Sequence, residues 1–402
     1  MPTWRTRIFV STWLAYAGFY FCRRPFYAVK STLGEERGWD ASTLGTIGLV
    51  YLLAYAVGQF CSGALGTRFG PRVVLLTGIA LSVAASIGFG ISGSLAVFVA
   101  LMALNGLAQA TGWSTTVGTM AQWFPRAERG SVMGVWSTCY QLGPIAATAL
   151  AAWMLVRHGY AASFFAGAAV LAIVGMVVLL FQRNRPEDVG LPGMGEEERG
   201  SEGTLSRQAW IDTLLVGTFY FFLKLIRYAL WSWTPFFLER SYGLAGDDAG
   251  YLSNVFDLAG AVGVITAGFV SDRFFSSRRA IVSLALVALM TLACACLQLI
   301  GSVTGFALCI AVIGFSLFGP DSLMSGAGAM DIGSRRGALL AAAVINGMGS
   351  LGPVLQEVVI GRLFDASKDL QPIFALLLGS SLCALLVLAI VAARARRGTS
   401  NV

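Results

Sequence analysis

Apolar residues along this chain come in long unbroken stretches, not in alternating or amphipathic patterns. Twelve such stretches, at 8–30, 42–65, 72–92, 95–124, 130–156, 160–182, 209–239, 248–271, 280–300, 303–328, 337–363 and 370–393, are separated by mostly short polar segments. Runs of roughly twenty residues are what a helix needs to cross a hydrocarbon core about 30 Å thick. A helix also satisfies its own backbone donors and acceptors there. The pattern predicts an all-α integral membrane protein with twelve transmembrane helices. One polar interval is longer than the rest: residues 183–208 carry Pro186, Gly190, Pro192, Gly193, Gly195 and the acidic run Glu196-Glu197-Glu198. That composition is a linker's, and it divides the chain into 1–182, an N-terminal six-helix half, and 209–402, a C-terminal six-helix half.

Composition sharpens the picture. Of 402 residues, 56% are hydrophobic and 12% charged, against about 25% charged in a soluble domain; mean hydropathy is +0.72. The 48 glycines suit close helix packing in lipid. A net charge of +7 raises the question of nucleic acid, but the distribution argues against it. Arg5, Arg7, Arg68, Arg72, Arg126, Arg129, the linker arginines, Arg273, Arg278, Arg279, Arg335, Arg336, Arg394, Arg396 and Arg397 fall on one side of the predicted membrane. The other side has fewer bases, offset by Glu35, Glu36, Asp40, Asp247 and Asp248. The asymmetry places both termini and the linker in the cytoplasm. Met1 to Arg7 runs straight into the first span, so no cleavable signal peptide is expected. The seven cysteines lie within apolar runs and are expected to be small core residues, not a disulfide framework. The sole histidine, His158, sits at the outer end of the fifth span. With no Cys/His cluster and no glycine-rich nucleotide loop after a strand, neither an enzyme nor an ATPase is expected, and no cofactor or metal.

The halves repeat. Gly63-Ala64-Leu65-Gly66-Thr67-Arg68-Phe69-Gly70-Pro71-Arg72, between the second and third spans, returns 205 residues later as Gly268-Phe269-Val270-Ser271-Asp272-Arg273-Phe274. Arg129-Gly130, leading to Leu142-Gly143-Pro144, returns as Arg336-Gly337, leading to Leu351-Gly352-Pro353. Arg23 and Arg227 are 204 residues apart. Near-constant offsets at three places mark a duplication into pseudo-symmetric halves.

Those two arginines are the strongest chemical signal. Each sits in an aromatic span, where an arginine near the bilayer centre costs about 2.5–3.5 kcal/mol on insertion scales. Helical spacing puts Arg23 on a face with Tyr16, Tyr20 and Tyr27, and Arg227 with Tyr220, Lys224 and Trp231. A guanidinium fork suits phosphate bidentately, so matching positions in the two halves point to one anion site. The alternative is a structural ion pair with Asp257, Asp321 or Glu357.

Several segments carry a family resemblance. Tyr20-Phe21-Cys22-Arg23-Arg24-Pro25-Phe26, Asn105-Gly106-Leu107-Ala108-Gln109 through Gly112-Trp113, Trp123-Phe124, Arg227-Tyr228 through Trp233-Thr234-Pro235, and Pro186-Glu187-Asp188-Val189-Gly190-Leu191 resemble the organophosphate:phosphate antiporters. That group of the major facilitator superfamily includes the glycerol-3-phosphate and hexose-phosphate transporters and the sugar-phosphate exchangers. The Gly63–Arg72 segment resembles the superfamily's loop signature, with Thr67 where an Asp is usual. The resemblance covers essentially the whole chain. It implies the major facilitator fold, with substrate near the midplane, and arginines of the first and seventh helices, here Arg23 and Arg227, gripping phosphate. Two positions depart from the family: Gln59 stands where a lysine is common and Tyr140 where glycerol-phosphate types carry a histidine.

Other residues are weighed beside these. Tyr51, Tyr55 and Gln59 form a polar-aromatic face on the second span, Asn105, Gln109 and Trp113 on the fourth, and Trp136 and Tyr140 on the fifth. Gln59, Tyr140, Tyr20 and Trp113 are candidates to line the cavity, against the reading that such stripes are packing. Arg24 points about 100° away from Arg23, and the resemblance implies a gating pair between it and Asp257. Lys224 either touches substrate or neutralises Asp321 or Glu357. The expected activity is secondary transport that exchanges a phosphorylated small metabolite for inorganic phosphate by alternating access. The alternatives are a non-transporting sensor of sugar phosphate and a proton-coupled organic anion transporter. The expected setting is a bacterial inner membrane. The expected partners are the lipid bilayer, an anionic small molecule and inorganic phosphate, and the fold is expected to work as a monomer.

Overall fold

In a computed structural model of the protein, residues 2–193, 205–244, 246–367 and 370–400 are described, with side chains at 31, 41, 42, 235, 236, 239–241, 246–251, 336, 357, 361 and 364–367 outside that description. Among the described residues, eleven helices are long and apolar enough to cross a membrane. After α1 (Pro2–Phe19) come α2 (Ala41–Phe69), α3 (Pro71–Ile91), α4 (Leu95–Trp123), α5 (Arg126–His158) and α6 (Tyr160–Phe181). The second half has α7 (Arg207–Tyr242), α8 (Gly246–Arg273), α9 (Arg279–Leu297), α10 (Val303–Arg335), α11 (Gly337–Ile360) and α12 (Gln371–Arg396). From α2 onward these follow the apolar runs of the sequence. The Gly63–Arg72 segment is less a loop than expected: α2 continues to Phe69, and Gly70, at φ 83°, turns the chain into Pro71.

The first segment departs from a continuous span over 8–30. Helix α1 stops at Phe19, a tight 3-10 turn covers Tyr20–Cys22, and short helices follow at Arg24–Ala28 and Lys30–Arg37. Pro25 explains the break, since it has no N–H to give to the Phe21 carbonyl four residues back. Arg23, at φ −106° and ψ −48°, sits in the joint. The α6 backbone at Gly167 packs onto the Phe21 carbonyl so closely that a Cβ would collide with it. Gly38 ends the last short helix with φ 66°. Asp40 then caps α2, accepting from the Thr43 N–H at 2.8 Å. Hydrogen bonds from the Thr43 side chain and backbone hold the Asp40 carboxyl below the ordinary carboxylate range.

The chain forms two compact units. Unit 1 comprises Met1–Pro125, Trp136–Thr204 and Ser334–Ala343; unit 2 comprises Arg126–Val135, Leu205–Gly333 and Val344–Val402. The head of α5 therefore packs in unit 2 and the head of α11 in unit 1. In unit 1, Phe89, Phe98 and Phe164 pack against one another in tilted and edge-to-face contacts with centroids 5.1–6.2 Å apart. A second cluster joins α1, α3 and α6 through Ala15, Phe19, Leu75, Ile79, Leu171 and Val178. In unit 2, α8 and α10 lie backbone to backbone: a side chain at Gly263 would strike the Phe315 carbonyl, and one at Gly314 the Phe256 carbonyl. Of the seven cysteines, Cys61 and Cys383 are exposed, contrary to their expected place in the core. They face outward on membrane-crossing helices, where an apolar surface costs nothing.

Candidate functional site

In unit 1 the joint after α1 presents Arg23 to α2 and α4. Arg23 Nε donates to Gln109 Oε1 at 2.8 Å, and the Tyr51 hydroxyl donates to the same oxygen at 2.9 Å. Gln109 Nε2 donates to Asn105 Oδ1 at 3.0 Å, which also accepts from Ser82 Oγ at 2.6 Å. Asn105 Nδ2 closes the circuit on the Cys22 carbonyl at 2.9 Å, one residue before Arg23. The close approach of α2 and α4 makes this reach possible: a Cβ on Gly106 would lie 2.6 Å from the Tyr51 carbonyl. Rings of Tyr20, Tyr51 and Tyr55 surround the guanidinium at 4.8, 5.3 and 5.3 Å, each a cation–π contact worth about 0.5–2 kcal/mol. Among the described residues Arg23 meets no carboxylate, and neither Nη group makes a hydrogen bond. Its charge is held by neutral dipoles and π faces, with the outer edge of the fork unused.

Beside it stands an aromatic wall. Tyr16 lies 6.1 Å from Tyr20, 5.9 Å from Trp113, 5.4 Å from Trp136 and 5.2 Å from Tyr140. The structure gathers the expected Tyr20, Trp113 and Tyr140 into one group, with Trp113 and Trp136 fully buried. Tyr27, expected on the same face, is exposed, because the break at Tyr20–Cys22 ends the regular helical spacing. Gln59 is fully buried, and its amide nitrogen and oxygen make no hydrogen bond among the described residues. A buried primary amide left so is uncommon.

Unit 2 handles its arginine differently. Arg227 Nη1 donates to Asp321 Oδ2 at 2.5 Å, and the guanidinium lies 4.5 Å from the Phe318 ring centroid. Asp321 is 1% exposed. It follows Pro320 on α10, just before the π-turn Leu323–Gly328. A missing donor and a wider turn re-register the helix there, and Ser325 Oγ donates to the Asp321 carbonyl at 2.5 Å. Tyr220 stands beside both charged groups, while Trp231, expected on the Arg227 face, is exposed. Lys224, weighed against Asp321 and Glu357, donates to Asn346 Oδ1 at 2.6 Å and Ser350 Oγ at 3.3 Å, 5.0 Å from the Tyr220 ring centroid. Gly349 and Gly352 bring α11 against Tyr220 and the Phe221 carbonyl, which puts Asn346 and Ser350 within reach. Arg24 lies in unit 1 and Asp257 on α8 of unit 2. The Glu357 side chain is outside the described residues.

Unit 2 also holds a buried ion network whose partners the local sequence does not signal. Asp331 accepts from Arg129 Nη1 at 3.0 Å and Arg279 Nε at 3.2 Å, with Arg126 Nε at 3.5 Å. Arg279 also pairs with Asp272, which accepts from the Ser131 N–H at 2.6 Å. Arg129 and Arg279 read in sequence as loop charges, yet they are 2% and 0% exposed. The available signal was Asp331 itself, an acid at the end of an apolar run.

Residues 8–356 match the family model described as Major Facilitator Superfamily. The chain is 30% identical to putative glycerol-3-phosphate transporter 2 of Arabidopsis thaliana, over 95% of this chain and 85% of that relative. It is 30% identical to sugar phosphate exchanger 3 of Gallus gallus, over 80% and 73%, and 27% identical to the glycerol-3-phosphate transporter of Bacillus subtilis, over 96% and 92%. Among solved structures, the transporter FucP in its outward conformation matches with a TM-score of 0.76 at 14% identity, covering 98% of this chain and 99% of that one. At that identity the likeness is one of fold.

Proposed function

The chain belongs to the major facilitator superfamily, a transporter and not an enzyme, and we propose that it exchanges a phosphorylated small organic metabolite for inorganic phosphate by alternating access. The metabolite is of the sugar phosphate or glycerol phosphate type that the relatives' names carry. The observation that carries this reading is Arg23: a half-buried guanidinium ringed by tyrosines in the joint after α1, oriented by Gln109, with no carboxylate partner among the described residues and its outer donors unused. A partly desolvated charge without a counter-charge is costly, and a phosphate oxygen pair is the ligand that fits a planar fork.

In this reading Arg23 of one half (1–182) and Arg227 of the other (209–402) both donate to phosphate, and residues 183–208 link the halves. Phosphate offsets charge that would otherwise oppose closure, so loading favours the transition in proportion to its differential affinity for the two states. Gln59, Tyr140, Tyr20 and Trp113 contact the organic part, and Lys224 supports the anion. Arg24 pairs with Asp257, and Glu357 serves as a further gating acid. The protein works as a monomer in a bacterial inner membrane with both termini in the cytoplasm.

Counterflow of labelled phosphate in proteoliposomes, with a panel of unlabelled phosphate esters as competitors, tests the reading. Arg23→Lys and Arg227→Lys each keep the charge and lose the fork, and each is expected to abolish counterflow at matched reconstitution. Near-normal flux in either one overturns the assignment.

A further inference from the structure

We propose that Asp321 is a resident counter-ion that occupies Arg227 in place of substrate. A phosphoanion must displace it to bind, and Asp321 thereby sets both the affinity for phosphate and how strictly the carrier must be loaded before it returns. The inference rests on the reading of Arg227 as a substrate arginine.

The two arginines at matching positions are chemically unequal. Arg23 is held by an amide oxygen and three phenol rings. Arg227 is held by a carboxylate that is almost wholly buried. A carboxylate and a phosphate offer a guanidinium the same thing, a pair of anionic oxygens. Asp321 uses only half of that capacity toward Arg227: Oδ2 accepts from Arg227 Nη1 at 2.5 Å, while Oδ1 makes no hydrogen bond of ordinary geometry among the described residues. A pair built solely for stability would gain by using both oxygens. A one-oxygen contact can be replaced by a ligand that engages the whole fork. The displaced carboxylate also has a polar neighbour on α7, since Tyr220 stands beside it, and the Pro320 and π-turn irregularity lies in the same stretch of α10.

The consequence is a change in local charge. Arg227, Lys224 and Asp321 together carry +1 in unit 2; without the Asp321 charge they carry +2. An unloaded carrier that already neutralises Arg227 meets less electrostatic resistance to reorientation than one holding both cations bare. Asp321 therefore competes with substrate and also substitutes for it.

The test uses the full chain, purified and reconstituted. Inorganic phosphate is titrated against the thermal unfolding of the wild type, Asp321→Asn, Asp321→Ala, Arg227→Gln and the double variant R227Q/D321N. Net phosphate efflux and phosphate exchange are measured in proteoliposomes. Removing a charged competitor for one charge-assisted hydrogen bond is expected to tighten phosphate binding by about tenfold, the equivalent of about 1.4 kcal/mol. D321N and D321A should both show it, the tightening should vanish in the R227Q background, and net efflux should fall relative to exchange. A purely structural pair gives the opposite sign, because its loss loosens the site. If D321N and D321A bind phosphate no more tightly than wild type while R227Q is impaired, the inference fails and the functional reading stands. Aggregation of both Asp321 variants also overturns it, by making the pair structural. A wild type indifferent to phosphate, or R227Q binding as well as wild type, overturns the underlying reading and the inference with it.

Discussion

Gln109→Glu is the sharpest probe of how Arg23 is kept available. It is isosteric and converts the neutral acceptor 2.8 Å from Arg23 Nε into a carboxylate. A hydrogen bond between two charged groups is roughly twice as strong as its neutral counterpart, so the swap adds about 1.5 kcal/mol of competition for the guanidinium. The new charge also repels an incoming phosphate. At roughly 5 Å and an effective dielectric near 20, that repulsion is about 3 kcal/mol at most. Half-saturation for phosphate is therefore expected to weaken by at least about tenfold and up to about two-thousandfold. A separate stability cost comes from the far side of the group. Gln109 Nε2 now donates to Asn105 Oδ1 at 3.0 Å, and a Glu oxygen there meets an acceptor, at about 1–2 kcal/mol. That loss appears in the melting temperature and the affinity change in the phosphate titration, so the two are read independently on the same purified protein. Half-saturation within about twofold of wild type, in a monodisperse Q109E protein, would falsify the claim that Arg23 depends on a neutral partner.

Two further outcomes are expected. Gln59→Lys places an ammonium where the buried amide now lacks partners, and it should strengthen competition by multiply charged phosphate esters more than by inorganic phosphate; an unchanged rank order of inhibition constants means Gln59 does not reach substrate. Neutralising Arg24 or Asp257 singly should impair counterflow, and neutralising both should recover part of the loss; a double-mutant cycle without coupling removes that pair from the mechanism.

How much of this was legible in sequence depends on range. Spans from α2 onward follow from local composition, because bilayer thickness fixes the length of an apolar run. The apolar run predicts an unbroken first span despite Pro25; what makes the break stable is Gly167 of α6 packed on the Phe21 carbonyl, a contact no local pattern encodes. Arg23 and Arg227 stood out because charge in an apolar run is rare. Their neighbours did not. Gln109 was visible as a polar residue on the fourth span, but nothing local says that its oxygen faces a guanidinium 86 positions away. The Asp331 network was hidden for the same reason: Arg129 and Arg279 look like ordinary loop arginines until folding buries them.

The composition of the two units bears on how the protein is made. Arg129 leaves the ribosome 202 positions ahead of the Asp331 carboxylate that holds it. At roughly 5–20 residues per second that is about 10–40 seconds of synthesis. Unit 1 waits in the same way for residues 334–343, whose Leu339 and Ala343 fill the hollows at Gly66, Gly118 and Gly63. The nascent N-terminal half thus enters the membrane with an unfilled groove and an arginine that has not yet met its carboxylate. A gene cut at the linker would yield two polypeptides that each lack ten residues of their own packing, so neither is a finished body until the other is present.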